Sequence, residues 1–157
     1  MLRLPNALLS IVALCGLTDP EPPYFGLGDP EPPRYGLGDP EPVGFPVLAG
    51  FDYTEGMTLP TEVTELDEKE VEIRGFMRRE SPGSGPVNQF MLINDACGCN
   101  GTPKMNEIVF CTLPDGVTMD LLQGVVKVTG TLFVGEVEED GYVIMIYQMD
   151  ADTVTAT

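Results

Sequence analysis

The chain has 157 residues, with 8 basic and 25 acidic side chains and no histidine, which gives a net charge of −17. A surface this acidic makes nucleic-acid phosphates and anionic lipid headgroups poor partners. Without histidine, the chain lacks the commonest general base and cannot form a serine–histidine nucleophile pair. No acid–base pair stands out among the many carboxylates, so we expect a protein that is not an enzyme.

The first fifteen residues are typical of an export signal. Arg3 is followed by a short apolar run that ends at Cys15 and is too short to span a bilayer as a helix. Residues 12–15 resemble the sequence before the lipid-modified cysteine of bacterial lipoproteins, which makes Cys15 a lipidation candidate. The alternative is a segment that is retained and buried in an assembly. We expect an exported protein at the cell surface, outside the cell or in the periplasm, which meets a membrane only through such a lipid.

Three near-identical decapeptides follow, over residues 16–25, 26–35 and 36–45. Each begins with Gly-Leu, carries Asp-Pro-Glu-Pro in its middle and ends on an aromatic residue. Prolines at this density exclude helix interiors and central strands, because each lacks an amide donor and fixes φ. The repeats therefore predict an extended arm, largely in the polyproline II conformation.

The arm has two large apolar groups at fixed positions in every repeat. At about 3.1 Å per residue the three repeats would span roughly 90 Å, which is more than the diameter of a small domain. One interpretation is a homo-oligomer in which each arm straps a neighbouring subunit in a head-to-tail arrangement. The other is a semi-rigid acidic spacer. The predicted anchors are Leu17, Phe25, Leu27, Tyr35, Leu37 and Phe45.

Residues 46–60 form a transition, and residues 61–157 carry the pattern of a β domain. One helical turn is predicted within residues 61–70. Gly75 and Gly130 lie inside long strands, where we expect a bulge or the sharp curvature of a small barrel. The predicted strands cover residues 69–80, 89–94, 107–113, 124–136 and 142–150, with an extension at 153–155, a short helix at 117–123 and an acidic hairpin loop at 136–141.

This order of elements predicts an all-β domain, a small five-stranded barrel like the oligonucleotide/oligosaccharide-binding (OB) fold, with the extended proline-rich arm at its N-terminal side. A β-sandwich is the alternative. Nucleic-acid binding is disfavoured, because the predicted domain has only six basic residues and no tryptophan to form a basic groove with stacking aromatics.

Several segments of this domain look familiar together. They are Leu66–Met77, Phe90–Ile93, Pro103–Val109 after the cysteine-rich loop, Val128–Leu132 and Met149–Asp152. Residues 61–154 thereby resemble a family of small exported bacterial proteins, often lipoproteins, that is known only as a domain of unknown function. The resemblance implies export and an OB-like fold, and no activity.

Three cysteines cluster in sequence at Cys97, Cys99 and Cys111. Export favours a disulfide from Cys97 or Cys99 to Cys111, which would leave one thiol over. The alternative is a site of three thiolates for Cu(I), zinc or an iron–sulfur cluster. The candidates for its fourth ligand are Met91, Met105 and Asp95.

Three hypotheses for function follow from these observations. The first is an exported, non-enzymatic structural or interaction protein whose arm packs on neighbouring subunits, for example in an extracellular filament. The second is a periplasmic lipoprotein that acts as an accessory or adaptor in the cell envelope. The third is a soft-metal or redox protein that uses the clustered cysteines. No other cofactor is expected, apart from Ca²⁺ held at modest affinity by the acidic residues of the arm.

Overall fold

Six strands form one mixed sheet within residues 39–95, 97 and 101–157, which are those that the computed structural model describes. The strands are β1 (Glu41–Val43), β2 (Lys69–Arg78), β3 (Gln89–Ile93), β4 (Ile108–Thr112), β5 (Val125–Glu139) and β6 (Tyr142–Ala156). The predictions of a mostly β fold and of strands β2 to β6 are confirmed. One sheet is present in this part of the chain, rather than the two packed sheets of a sandwich.

The strands pair in the order β1-β2-β3-β4-β6-β5, and β2 also pairs with β5. The pairings from β2 through β3, β4, β6 and β5 therefore return to β2. Two pairs are parallel, β1 with β2 and β4 with β6, and the others are antiparallel. Strand β1 has a single partner and lies outside this cycle.

Helices are short. The turn predicted within residues 61–70 is confirmed as α2 (Thr61–Thr64), and α1 (Phe45–Leu48) and a 3₁₀ turn (Met105–Glu107) add to it. Along the described ranges, no helix is long and apolar enough to cross a lipid bilayer.

The helix predicted at residues 117–123 is wrong. Met119 instead exchanges two backbone hydrogen bonds with Val87, at 2.8 and 2.9 Å. Gly116 and Gly124 bracket the segment with positive φ angles of 77° and 82°, and such residues interrupt a helix. This tertiary pairing outweighs the local helical pattern.

The longest pairing joins β5 to β6 through a tight turn. Asp140 and Gly141 have φ angles of 52° and 83°, as the two central residues of a type I′ turn require. Glu139 and Tyr142 are directly paired, so the strands run further into the predicted acidic loop than the sequence indicated.

The two mid-strand glycines have different roles. At Gly130 the register with β6 shifts, so a bulge lies there, and a Cβ on Gly130 would collide with the carbonyl oxygen of Asp150. At Gly75 the register with β5 is continuous, so no bulge is present. A Cβ on Gly75 would lie 2.8 Å from the Ile93 carbonyl oxygen and 3.0 Å from Cε2 of Phe45. Gly75 therefore permits a close approach.

The core lies inside the curved sheet and includes residues from every strand. Tyr147 is fully buried, and its hydroxyl donates a 2.8 Å hydrogen bond to the carbonyl oxygen of Leu48 in α1. The largest fully buried side chains are those of Tyr147, Phe90, Leu48, Ile73, Leu92, Leu132, Ile146 and Met149. Helix α1, which carries Leu48, therefore belongs to the core.

Substituting Gly75→Ala should destabilise the protein by about 1–3 kcal/mol, the usual cost of overpacking a core. The added methyl group would push against Phe45 and the backbone of β3. Urea denaturation measures this loss. Gly135→Ala is the matched control, because a Cβ there meets nothing within 4 Å. Equal unfolding midpoints for the two variants would contradict the close packing at Gly75.

Candidate functional site at the edge of β2

One edge of β2 is shared by two different strands. Strand β5 pairs with Lys69–Phe76 on one side, whereas on the other side β3 pairs only with Phe76–Arg78. The backbone of Val71–Ile73 would thus be open on that side without β1. We call this stretch the docking edge.

The end of the third decapeptide closes the docking edge. Glu41, Pro42 and Val43 lie parallel to β2 and opposite Val71, Glu72 and Ile73. Because Pro42 has no N–H, the register has Glu72 bonding to the two residues that flank Pro42. Glu72 thereby donates its N–H to the Glu41 carbonyl and accepts the N–H of Val43. Proline is tolerated here because, within residues 39–95, 97 and 101–157, β1 is an edge strand with no partner on its outer side.

Helix α1 anchors the same segment in the core. The backbone N–H groups of Val47 and Leu48 donate to the Gly44 carbonyl oxygen at 2.9 and 3.3 Å. This single turn buries Phe45 and Leu48, which are 2% and 0% exposed. Each buried side chain of this size contributes about 1.5–3 kcal/mol. We call residues 41–48 the docking segment.

Charged side chains line the outer face of the docking edge. One carboxylate oxygen of Glu72 accepts hydrogen bonds from Arg74 at 3.1 and 3.3 Å, and the other lies 3.3 Å from Nζ of Lys127. Burial raises the pKa of Glu72, but the bonds and charges of Arg74 and Lys127 outweigh it and hold that pKa below its usual value. Glu41 lies 3.8 Å from Nζ of Lys69 in an exposed pair, which contributes little energy.

The third repeat differs from the first two at the end of the strand that pairs with the docking edge. Val43 and Gly44 stand where the first repeat has Pro23 and Tyr24 and the second has Pro33 and Arg34. A proline in place of Val43 could not donate to Glu72. The docking edge therefore fits the third repeat better than its siblings, and this departure from the repeat pattern was a signal in the sequence.

The chain from α1 to α2, residues 49–60, is held by polar contacts, and we call it the linker. Glu136 on β5 accepts two hydrogen bonds through one oxygen, from the Tyr53 hydroxyl at 2.7 Å and the Gly56 N–H at 2.8 Å. The side-chain amide of Asn106 donates to the Phe51 carbonyl oxygen at 2.7 Å. No pattern in the sequence pointed to these contacts.

Tyr53 stays protonated over a wide pH range. Desolvation, then the hydrogen bond and charge of Glu136 and the charge of Glu55, raise the pKa of Tyr53 to about 12. Since the folded pKa lies above the ordinary value of about 10, this contribution to stability is complete below pH 10 and is lost as the pH rises toward 12.

One of the six predicted anchors lies among the described residues, and the other five do not. Phe45 is buried in its own domain, so residues 41–60, predicted as arm and transition, belong to the same compact unit as the sheet. The other predicted anchors, Leu17, Phe25, Leu27, Tyr35 and Leu37, lie outside the described residues, as does the lipidation candidate Cys15.

The cysteine predictions require a correction. Cys111 is a free thiol and is 1% exposed, so the predicted disulfide to Cys111 is not formed. The reason is strand alternation, which turns Cys111 into the core together with Val109, away from the exposed loop of Cys97. Cys97 is disulfide-bonded, and Cys99 lies outside the described residues.

Among the described residues, the structure does not bring the ligands of the predicted three-thiolate metal site together. Cys97 is committed to a disulfide, and Cys111 lies in the core. Among the residues with described positions, no group of three His, Cys, Asp or Glu side chains could hold a metal ion. Of the proposed fourth ligands, Met91 lies opposite Phe110 in the sheet, and Asp95 accepts the backbone N–H of Cys97 at 2.9 Å.

A small cavity of about 190 Å³ adjoins Cys111. It is smaller than the roughly 300–1,000 Å³ of sites for drug-sized ligands. Burial raises the pKa of the Cys111 thiol far above its ordinary value, so the thiol is poorly suited to act as a nucleophile. The lining residues are Glu80, Gln89, Phe90, Phe110, Cys111, Thr112, Met145, Gln148 and Asp150.

Cys111 should resist alkylation in the native protein and react only after unfolding in denaturant without reductant, because its thiol is buried and protonated. Peptide mapping by mass spectrometry locates the label. Recovery of Cys111 in a disulfide-linked peptide, or labelling of the native protein at the rate of an exposed thiol, would contradict the structure.

Comparison with known proteins gives a family and a fold. The family described as "Protein of unknown function (DUF3299)" matches residues 51–156. The crystal structure of a DUF3299 family protein from Pseudomonas aeruginosa PAO1 is similar, with a TM-score of 0.53 and 22% identity, and the match covers 75% of this chain and 96% of that one. At this identity the likeness concerns the fold alone. No curated protein matches the sequence.

Proposed function

The chain belongs to the DUF3299 family of proteins of unknown function, and from this premise we propose that it is an exported, non-enzymatic interaction protein. In this proposal an OB-like barrel forms the base. The proline-rich arm, fixed to that base by its third repeat, packs its first two repeats on neighbouring subunits, as in an extracellular filament.

The cyclic strand pairing supports the barrel. Counted from β2, the five strands of the cycle pair as first with second, second with third, third with fifth, fifth with fourth, and fourth with first. The third and fifth of them, β4 and β6, are parallel. A five-stranded Greek-key barrel of the OB type closes in this way.

The observation that carries the proposal is the docking segment itself. Part of one decapeptide adds a strand to this domain and buries its final aromatic residue, Phe45, in the core. Addition of an extended segment to an open sheet edge is a common mode of protein recognition, in which side-chain anchors give specificity. A repeat of this composition can therefore bind to a β domain.

The first two repeats keep the aromatic anchors and lack the strand-forming residues. Phe25 and Tyr35 stand where Phe45 does, but Pro23 and Pro33 could not complete a ladder like that of Val43. We therefore expect these repeats to bind through their side chains, as polyproline II segments do in aromatic-lined grooves. In that conformation residues 16–38 would reach roughly 70 Å, several times the radius of a domain of this size.

Net charge sets a condition for assembly. At −17 the subunits repel one another, and the repulsion between exposed charges falls as salt shortens the Debye length. Assembly held by apolar anchors should therefore strengthen with ionic strength.

The double substitution Phe25→Ala and Tyr35→Ala should dissociate native assemblies to monomers, because it removes the aromatic anchors of both free repeats. Sedimentation velocity and negative-stain electron microscopy of the full-length protein, at low and high salt, measure the size. Circular dichroism checks that the double variant keeps the β fold of the parent protein.

Thr18→Gly is the matched control, because it gives the first repeat the residue that its two siblings have at this position, Gly28 and Gly38. This variant should assemble as the parent protein does. A parent protein that is monomeric at every salt concentration, or a double variant that assembles equally well, would contradict the proposed function.

A further inference from the structure

Residues 41–48 contact parts of the chain that lie far away in sequence. Strand β1 pairs with β2, Phe45 packs near Gly75, and the Leu48 carbonyl accepts the Tyr147 hydroxyl. A second copy of the protein presents the same partners in the same geometry. Exchange of an identical element between copies costs little, since each contact that is broken is made again.

The linker decides whether exchange can take place. Fully extended, its twelve positions from Ala49 to Pro60 would reach roughly 40 Å, enough to carry the docking segment to an adjacent molecule. The observed linker is bent back onto its own domain instead. Its contacts with Glu136 and Asn106 cannot persist when the linker extends.

We propose that the docking segment is an exchangeable strand, which occupies the docking edge of its own domain or that of a second copy, and that Glu136 is the latch that favours the first arrangement. This inference rests on the proposed role as an interaction protein and names the partner of the docking edge as another copy of this chain.

The chemistry of the latch fits this role. One oxygen of Glu136 accepts both the Tyr53 hydroxyl and the Gly56 N–H, so removing a single side chain releases the linker at two points. The contact with Gly56 is exposed and that with Tyr53 is half-buried, whereas the docking segment supplies the buried groups Val43, Phe45 and Leu48. Loss of the latch therefore weakens the attachment of the linker and leaves the core contacts available to either copy.

The test compares Glu136→Ala with Glu138→Ala in the full-length chain that also carries Phe25→Ala and Tyr35→Ala. Both substitutions remove one negative charge from the same strand, but the Glu138 side chain is exposed and makes no hydrogen bond or ion pair within the described part of the chain. Sedimentation equilibrium gives the dimerisation constants. Because both linkers extend in the exchanged dimer, Glu136→Ala removes two hydrogen bonds from each of the two monomers, and the association constant should rise by roughly 30-fold or more. Glu138→Ala should leave it within about twofold.

Two further variants keep the result specific to strand exchange. Tyr53→Phe removes one of the two hydrogen bonds and should give an intermediate rise in the dimerisation constant. Adding Val43→Pro to the Glu136→Ala chain should abolish the additional dimer, because neither docking edge can then be completed. Equal constants for the Glu136 and Glu138 variants, or an additional dimer that survives Val43→Pro, would overturn the proposal.

The background makes this failure distinct from failure of the proposed function. All variants in this test carry Phe25→Ala and Tyr35→Ala and so lack the aromatic anchors of the first two repeats. A dimer gained on loss of Glu136 therefore cannot come from those anchors. Conversely, assembly through Phe25 and Tyr35 is measured with the latch intact.

Discussion

The backbone of Glu72 sets the constraint on which this structure depends. Its N–H and C=O point to the side of β2 on which β3 pairs, at a position that β3 does not reach, and a backbone group left without a partner away from water is costly. The chain meets this requirement with a segment from far upstream, Glu41–Val43, laid parallel to β2. The same segment then inserts Phe45 and Leu48 into the core. Closing one edge and completing one core are therefore a single event.

This arrangement makes residues 41–48 part of the folded domain. The Glu136 contacts extend the same principle to the linker, which they hold against β5. In the proposed function the first two repeats would follow a paired strand, and such a fixed starting point would lower the entropy lost when they bind a neighbouring subunit.

Much of the sheet could be predicted from the sequence, because apolar alternation in β2 and β4 and the glycine at position 130 act locally. The burial of Val71 and Ile73 follows directly from that alternation. The docking segment could not be predicted in the same way. Its prolines are typical of an extended arm, and whether an extended segment pairs with a sheet depends on an edge that only the assembled domain provides.

The remaining differences have the same origin in tertiary contacts. Residues 117–123 carry a helical pattern, but pairing of Met119 with Val87 is available only once the β2–β3 loop is in place. The disulfide prediction rested on the expectation of export, whereas the alternation of β4 turns the Cys111 thiol into the core. Glu136, Tyr53 and Asn106 belong to no motif, and the fold alone brings them together.

Hydrogen exchange at the Glu72 amide shows whether β1 closes the sheet, because that N–H has a partner only if β1 occupies the docking edge. In the full-length protein we expect protection of the Glu72 amide comparable to that of Val71 and Ile73, whose amides bond to β5. Exchange of the Glu72 amide at the rate of an open loop, with its two neighbours still protected, would show that the third repeat does not close the sheet.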